Sequence, residues 1–321
     1  MDDPDNSSMA ALSFDPTRVL VIAGPTSSGK SSLALSLAEE AQGELVCMDS
    51  MQVYREMQVG TSRPATKELT QVPHHLYGDF SIEKPISGAA YVSRASSIIT
   101  DIQTRGKLPI LVGGTGLYMK ALFEGLDDLP ATPNALRMRL ETLSKRHGLS
   151  WLYRMLQRLD PKGAAHLHPN DQQRIQRFLE VRILTHQSML DLWNKRPANP
   201  KPPVAIGLRV ERPLLVKRIS DSVSRMLKSG WIEETQALKK QGLTSALQKV
   251  GPLGYSQVLE YLAGNINYEK MEETVAVITR RYAKRQMTWF RKVDYIQWFP
   301  FDPVSGYNVK QIKAFMKERF D

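Results

Sequence analysis

Residues 24–31, Gly24-Pro-Thr-Ser-Ser-Gly-Lys-Ser31, match G-x-x-x-x-G-K-[ST] at every fixed position. The chemistry is anion holding. Gly24 and Gly29 let the backbone after Pro25 turn the N–H groups of Thr26, Ser27 and Ser28 toward a phosphate, and the following helix adds its dipole. Lys30 supplies a point charge, and the Ser31 hydroxyl is a ligand for Mg²⁺. The motif specifies phosphate or pyrophosphate and does not single out ATP. Asp49 closes a second apolar run and opens Asp49-Ser-Met-Gln-Val-Tyr-Arg55. A carboxylate there suits a general base, or the N-cap of a turn. A third run ends in Gly113-Gly-Thr-Gly116, where an ATPase usually places an aspartate. These glycines permit close backbone approach, and Thr115 offers a hydrogen bond or a cap.

The elements around these residues are legible. Arg18–Ala23, Glu44–Met48, Leu108–Val112 and Pro203–Val210 read as strands, being short, apolar and bounded by breakers. Ser31–Glu40, Tyr91–Arg105 and a segment from Thr115 read as helices. Strand and helix alternate, so the expectation is a parallel α/β sheet with the carboxyl ends of its strands at one edge. From Phe123 to about Trp193 the strand signal vanishes, and Asn134–Arg146, Trp151–Leu159 and Asp171–Thr185 read as basic helices, the last capped by Asn170. Further helices are expected at 214–227, 233–240 and 269–292. The division is a polar tail over 1–16, a core over 17–121 and 201–321, and a helical insertion over 122–200 joined by the proline-rich stretch Pro197–Pro203.

Composition narrows the class. The 321 residues are 42% hydrophobic and 24% charged, ordinary for a folded chain. No apolar run approaches the ~20 residues that span a bilayer. The single cysteine, Cys47, excludes an internal disulfide and a cysteine-based zinc site, and His74-His75 reads as structural. The acidic N-terminus is unlike a secretory leader, so the expected location is the cytoplasm, with a monomer as the default. Net charge is +10, but unevenly spread. Residues 1–120 carry 10 basic and 13 acidic side chains, and residues 121–321 carry 33 and 20. A polyanion partner for the later part, or merely a basic surface, accounts for that asymmetry. Arg174 and Arg177 share a helix face, as do Arg281, Lys284, Arg285 and Thr288.

GPTSSGKS, DSMQVYR, VGTSRP, VPHHL, LVGGTGLY, HPNDQQRIQR and AKRQMTWFR follow one another in this order, from about Val19 to Lys292. Together they resemble the tRNA dimethylallyltransferases, also called tRNA isopentenyltransferases, of bacterial type. The resemblance implies a P-loop NTPase-like core, a parallel sheet flanked by helices, with an all-helical insertion domain that grips the anticodon stem-loop. It implies transfer of a dimethylallyl group from dimethylallyl diphosphate to the N6 amine of the adenosine just 3′ of the anticodon, in tRNAs reading codons that begin with U. Thr26 to Ser31 then hold the diphosphate with Mg²⁺, and Arg218 and Arg280 add charge. Asp49 is the base at the amine, beside Lys30 and Thr115. Asp49, Ser50, Met51, Gln52, Thr115, Arg137, Gln173, Arg174, Ile175, Gln176 and Arg177 contact the tRNA.

Three places depart from the family pattern. Ser222 stands where a second arginine is usual in the helix after the insertion. Ser256 replaces a basic residue in Leu253-Gly-Tyr-Ser-Gln257, and Gly251 stands upstream of it where another basic residue is usual. Thr185-His186 replaces Thr-Gly. Arg218, Arg225 and Arg280 are the candidates to compensate at 222, and Lys249 at 251. The competing readings are a small-molecule kinase, an enzyme prenylating free adenine nucleotides, and a non-catalytic RNA-binding descendant.

Overall fold

The computed structural model describes residues 13–125, 129–193 and 201–320. The chain divides into two compact units, Leu12–Phe123 with Pro200–Asp321, and Glu124–Asn199 with Met1–Ala11.

The first unit is built on a seven-stranded sheet. In chain order its strands are β1 (Leu20–Ala23), β2 (Glu44–Cys47), β3 (His74–His75), β4 (Pro109–Gly113), β5 (Val204–Arg209), β6 (Ile296–Asp302) and β7 (Gly306–Tyr307). Their spatial order is β3-β2-β4-β1-β5-β6-β7, parallel except for the antiparallel β6–β7 pair. β1 is buried along its whole length because it lies between β4 and β5 under helices on both faces, the setting that demands a continuous apolar run. Successive side chains alternate faces. Leu20 and Ile22 pack with Leu33 and Leu37 of helix Lys30–Ala41 and with Ile312 of helix Val309–Phe320. Val21 and Ala23 pack on the other face, whose core includes Tyr91 and Ile99 of helix Gly88–Thr104 and Tyr118 of helix Gly116–Phe123.

The register decides where chemistry is possible. Ala23 lies opposite Gly113 and Gly207, and Cys47 opposite Val112. Gly24, Asp49 and Thr115 therefore emerge at one sheet edge. Gly113 is required there, because a Cβ on it would lie 2.0 Å from the Met48 carbonyl oxygen. At the other end of β2, buried Glu44 is paired with Arg105 and takes His75 Nε2 at 2.7 Å, so this histidine is an edge-strand partner.

Residues 1–12 of the expected tail lie outside the described residues. From Ser13 the chain is packed: Phe14 is 6% exposed in the main core, and Asp15 accepts from Thr17 N at 2.9 Å to start a short helix. The buried aromatic on that apolar surface outweighs the polar residues around it. β3, β6 and β7 were not expected from sequence, and the linker residues 197–200 lie outside the described residues.

The second unit is helical, with no strand among its described residues. Asn134–His147, Leu149–Leu159, Pro161–Ala165, Gln172–Thr185 and Met189–Trp193 pack around Leu140, Leu152, Leu156, Ile175, Phe178 and Leu179. Asp171, not Asn170, caps Gln172–Thr185, its Oδ1 accepting from Arg174 N at 3.2 Å. The Asp171 carboxyl thereby satisfies the free N–H of the third helical residue.

Replacing Gly113 by Ala is expected to cost more than about 2 kcal/mol in urea unfolding, since backbone must move. Gly106→Ala, at φ +69° with open space around it, is expected to cost about 1 kcal/mol. Equal costs at the two positions would contradict the close-approach account.

Candidate active site at the sheet edge and a charged helical hub

The phosphate loop runs from β1 into helix Lys30–Ala41. Ser27 at φ 61° and Gly29 at φ 97° turn the backbone through left-handed conformations. The Ser28 hydroxyl is buried with no hydrogen-bond partner, and Lys30 Nζ donates to the Pro25 carbonyl at 2.7 Å, folding the lysine back over the loop. Burial pushes the Lys30 ammonium down to about 8, while the negative charge of Asp49 pulls it back up. The two charges feel each other across the edge without forming an ion pair.

Asp49 sits in a tight turn. Its Oδ1 accepts from Met51 N at 2.9 Å and Gln52 N at 3.3 Å. The capping and the functional readings are therefore compatible, since both bonds use one oxygen. Thr115 secures the same turn: its Oγ1 accepts from Ser50 N at 2.9 Å and donates to Ser50 Oγ at 3.3 Å. Gln52 Nε2 donates to the Thr61 and Ser62 carbonyls at 3.0 and 3.1 Å, closing the loop on itself. Met51 and Ser50 are half-buried beside it.

Residues not singled out from sequence hold this edge together. Gln286, 5% exposed on helix Tyr268–Phe290, accepts from Thr26 N at 2.8 Å and donates to the Gly114 carbonyl at 3.0 Å. One side-chain amide thus joins the phosphate loop to the turn after β4. A Cβ on Gly114 would lie 1.9 Å from Gln286 Nε2, so glycine is required. At Tyr282, one turn earlier, burial and the nearby Asp49 charge raise the hydroxyl well above the usual phenol. Glu234 accepts from Gln58 N at 2.8 Å, Val59 N at 2.7 Å, Gly60 N at 3.1 Å and the Tyr255 hydroxyl at 2.6 Å, pinning the far end of the Asp49 loop. The runs AKRQ and LGYSQ carry Gln286 and Tyr255, but nothing in their local pattern tells which carbonyl or carboxylate they reach.

Arg218 reaches the same loop. A Cβ on Gly29 would lie 3.3 Å from Arg218 Nη2, and the guanidinium carbon is 4.6 Å from the Phe301 ring centre. Among the described residues it has no ion-pair partner. Ser222 is one turn further along the same helix and half-buried; Arg225 is exposed and Arg280 half-buried. Gly251 ends helix Thr244–Val250 at φ +65°, a conformation that glycine adopts without strain and a basic residue does not. Ser256 is exposed.

Within the helical unit three of the predicted residues, Arg137, Gln176 and Arg177, meet Glu180, which is 3% exposed. Thr132 donates to it at 2.8 Å and Gln176 at 3.1 Å, while Arg177 and Arg137 approach within 3.5 and 3.7 Å. Arg177 Nη1 also donates to Thr132 at 2.6 Å. Gln173 and Arg174 are exposed. Ile175 is a correction: it is fully buried in the unit's core, because position 175 lies on the apolar stripe of its helix.

For Mg²⁺ the oxygen-only donor Ser31 fits a hard cation beside a phosphate, and the unpartnered Ser28 hydroxyl shows polar capacity left over in the loop. No cluster of three or more His, Cys, Asp or Glu forms a metal cage among the described residues. A Mg²⁺ ion at Ser31 would therefore need ligands from a bound phosphate or from water.

A parallel sheet with a phosphate-loop motif, a carboxylate at its carboxyl edge and an arginine without an ion-pair partner among the described residues defines a P-loop-like α/β protein. Comparison with known proteins makes the class specific. The sequence profile described as IPP transferase matches residues 52–293. The tRNA dimethylallyltransferase of Geobacter sulfurreducens is 42% identical over 92% of this chain and 96% of its own. A second relative, tRNA dimethylallyltransferase 1 of Pelobacter propionicus, is 43% identical over 88% of this chain and 93% of its own. Among solved structures, the tRNA isopentenylpyrophosphate transferase of Bacillus halodurans superposes with a TM-score of 0.68 at 35% identity, covering 94% of this chain and 96% of that one. A eukaryotic dimethylallyltransferase acting on tRNA gives 0.75 at 26% identity, over 94% and 77%. The chain belongs to the IPP transferase family.

The depressed Lys30 sets a pH dependence. The ammonium is charged below about 8 and lost above it. Affinity for inorganic diphosphate, followed by calorimetric titration from pH 7 to 9.5, is expected to fall by up to about tenfold per unit above 8, with proton uptake on binding. Lys30→Met is expected to abolish that slope.

Proposed function

We propose that this protein transfers a dimethylallyl group from dimethylallyl diphosphate to the N6 amine of the adenosine immediately 3′ of the anticodon, in tRNAs reading codons that begin with U, releasing diphosphate. The observation that carries this reading is the coupling of Lys30 and Asp49 across one sheet edge: a leaving-group cation and a proton acceptor face the same space. The names of the relatives agree with it. In the reaction the allylic C–O bond breaks, its electron pair leaves with the diphosphate, a C–N bond forms to N6, and a proton of N6 passes to the carboxylate of Asp49. The exocyclic amine is a weak nucleophile because its lone pair is delocalised into the ring, so the base acts as the bond forms. Asp49 Oδ1 is engaged by backbone N–H groups and Oδ2 takes the proton. Thr115 holds the turn that aims it. Lys30 and Arg218 stabilise charge growing on the diphosphate, with Arg280 contributing charge from the long helix. Ser31 would hold a Mg²⁺ ion beside the diphosphate, and such an ion would supply further charge neutralisation.

The acceptor base must leave its stack, at a cost of a few kcal/mol. Contacts of Ser50, Met51 and Gln52 with the base and its neighbours offset this, together with Arg137, Gln173, Arg174, Gln176 and Arg177 on the anticodon stem-loop. Glu180 pre-orders Arg137 and Arg177, so less side-chain entropy is lost on binding. The protein works on this reading as a monomer in the cytoplasm. Among the described residues, no helix is long and apolar enough to cross a membrane.

Purified protein with Mg²⁺, radiolabelled dimethylallyl diphosphate and an unmodified anticodon stem-loop tests this. Label is expected on the stem-loop and not on AMP, and Asp49→Ala is expected to lose about 10²–10⁴ in rate while remaining folded. Label on AMP, or an unimpaired Asp49→Ala, overturns the reading. Adjacent helix positions provide a second check. Arg174→Ala is expected to weaken stem-loop binding and lower the salt slope by about one. Ile175→Ala is expected instead to cost about 2–4 kcal/mol of stability in the helical unit.

A further inference from the structure

We propose that the C-terminal β6–β7 hairpin, through Phe301 and Tyr307, is a positioning device for the diphosphate site: Phe301 holds the guanidinium of Arg218, and Tyr307 orients the peptide between Ser28 and Gly29. The inference rests on the reading of the phosphate loop as a diphosphate holder. The hairpin lies beyond residue 293, where the family profile ends.

Three contacts converge on this point. The Arg218 guanidinium carbon stands 4.6 Å from the Phe301 ring centre, within cation–π range. The Tyr307 hydroxyl donates to the Ser28 carbonyl at 2.8 Å. The two rings brace each other edge to face, with centres 5.1 Å apart at 77°. Gly29 lies beside both: a Cβ on it would be 3.3 Å from Arg218 Nη2 and 3.7 Å from Tyr307 Cε2.

The consequence for the loop follows from peptide planarity. The Ser28–Gly29 bond is trans, so its carbonyl and its N–H point in opposite directions. With the carbonyl held by Tyr307, the Gly29 N–H is turned away from the tyrosine and cannot flip with it. Arg218 has no carboxylate partner among the described residues, so its position depends on the aromatic face rather than on an ion pair. The ring must therefore hold the guanidinium still beside the loop. The turn that builds the hairpin is local: Asp302 Oδ1 accepts from Val304 N at 2.9 Å, Ser305 N at 2.7 Å and Ser305 Oγ at 2.9 Å, which brings Tyr307 back alongside Phe301.

The test uses the full-length protein with Phe301→Leu, Phe301→Trp and Tyr307→Phe. Binding of inorganic diphosphate with Mg²⁺ is measured by calorimetry, and KM is measured separately for dimethylallyl diphosphate and for the stem-loop. Phe301→Leu and Tyr307→Phe are expected to weaken diphosphate binding and raise the KM for dimethylallyl diphosphate about threefold to tenfold. The KM for the stem-loop and the melting temperature are expected to stay unchanged, and Phe301→Trp to keep wild-type affinity. In an Arg218→Lys background, Phe301→Leu is expected to add little, because it acts through the arginine. Unchanged diphosphate affinity in both Phe301→Leu and Tyr307→Phe overturns the proposal, as does an equal rise in both KM values. Tyr307→Phe keeps the ring, so it reports even if Phe301→Leu unfolds the hairpin. If diphosphate affinity responds as expected but no label reaches RNA, the hairpin's role stands and the donor assignment falls. If the wild type binds no diphosphate, both fall.

Discussion

A positive and a negative charge must face the same space without cancelling each other, and the rest of the edge is organised around that constraint. If Lys30 and Asp49 formed a contact ion pair, the leaving group would lose a cation and the acceptor a base. The structure prevents this with backbone. Lys30 is drawn to the Pro25 carbonyl, and one oxygen of Asp49 is occupied by the N–H groups of Met51 and Gln52. Each charge is thus held by neutral dipoles. The remaining attraction shows only as a partial restoration of the Lys30 ammonium against its burial.

Holding two loops in register at that edge takes groups far away in the chain. Gln286 bridges the phosphate loop and the turn after β4, and Glu234 with Tyr255 gathers the N–H groups of 58–60. Buried polar groups of this kind stabilise only when every partner is present, since an orphaned amide or carboxylate costs about 1–3 kcal/mol. The same logic governs the helical unit. Glu180 is buried yet met by Thr132, Gln176, Arg177 and Arg137, so the cations on that surface are ordered by an anion beneath them.

Much of this was legible in the residues. Four strands, the helices that carry the phosphate loop and the basic segments, and the interruption by a helical stretch all follow from period and breakers. So does the placing of Gly24–Ser31, Asp49 and Thr115 at strand ends. Local pattern failed at Phe14, where a polar-looking tail hides a core aromatic. It failed again at the N-cap, where Asn170 and Asp171 are equally suitable by type; at Ile175 it was the resemblance, carried across the whole run 173–177, that took in a residue of the apolar stripe. β6 is of mixed polarity and β7 has two residues, so neither stands out by period.

The sequence by itself determined which groups exist and at which end of which element they sit: an anion loop, a carboxylate after β2, a threonine after β4, and an excess of cations beyond residue 120. Those are consequences of covalent order and short-range backbone preference. Only the tertiary structure decided which of them meet. The strand register brought three loops to one edge. Gln286 joined loops 260 and 172 residues away, and Phe301 and Tyr307 were folded back onto Arg218 and Ser28. Such contacts are set by long-range packing, in which a side chain's partner depends on the whole sheet and its layers and on no window of neighbouring residues.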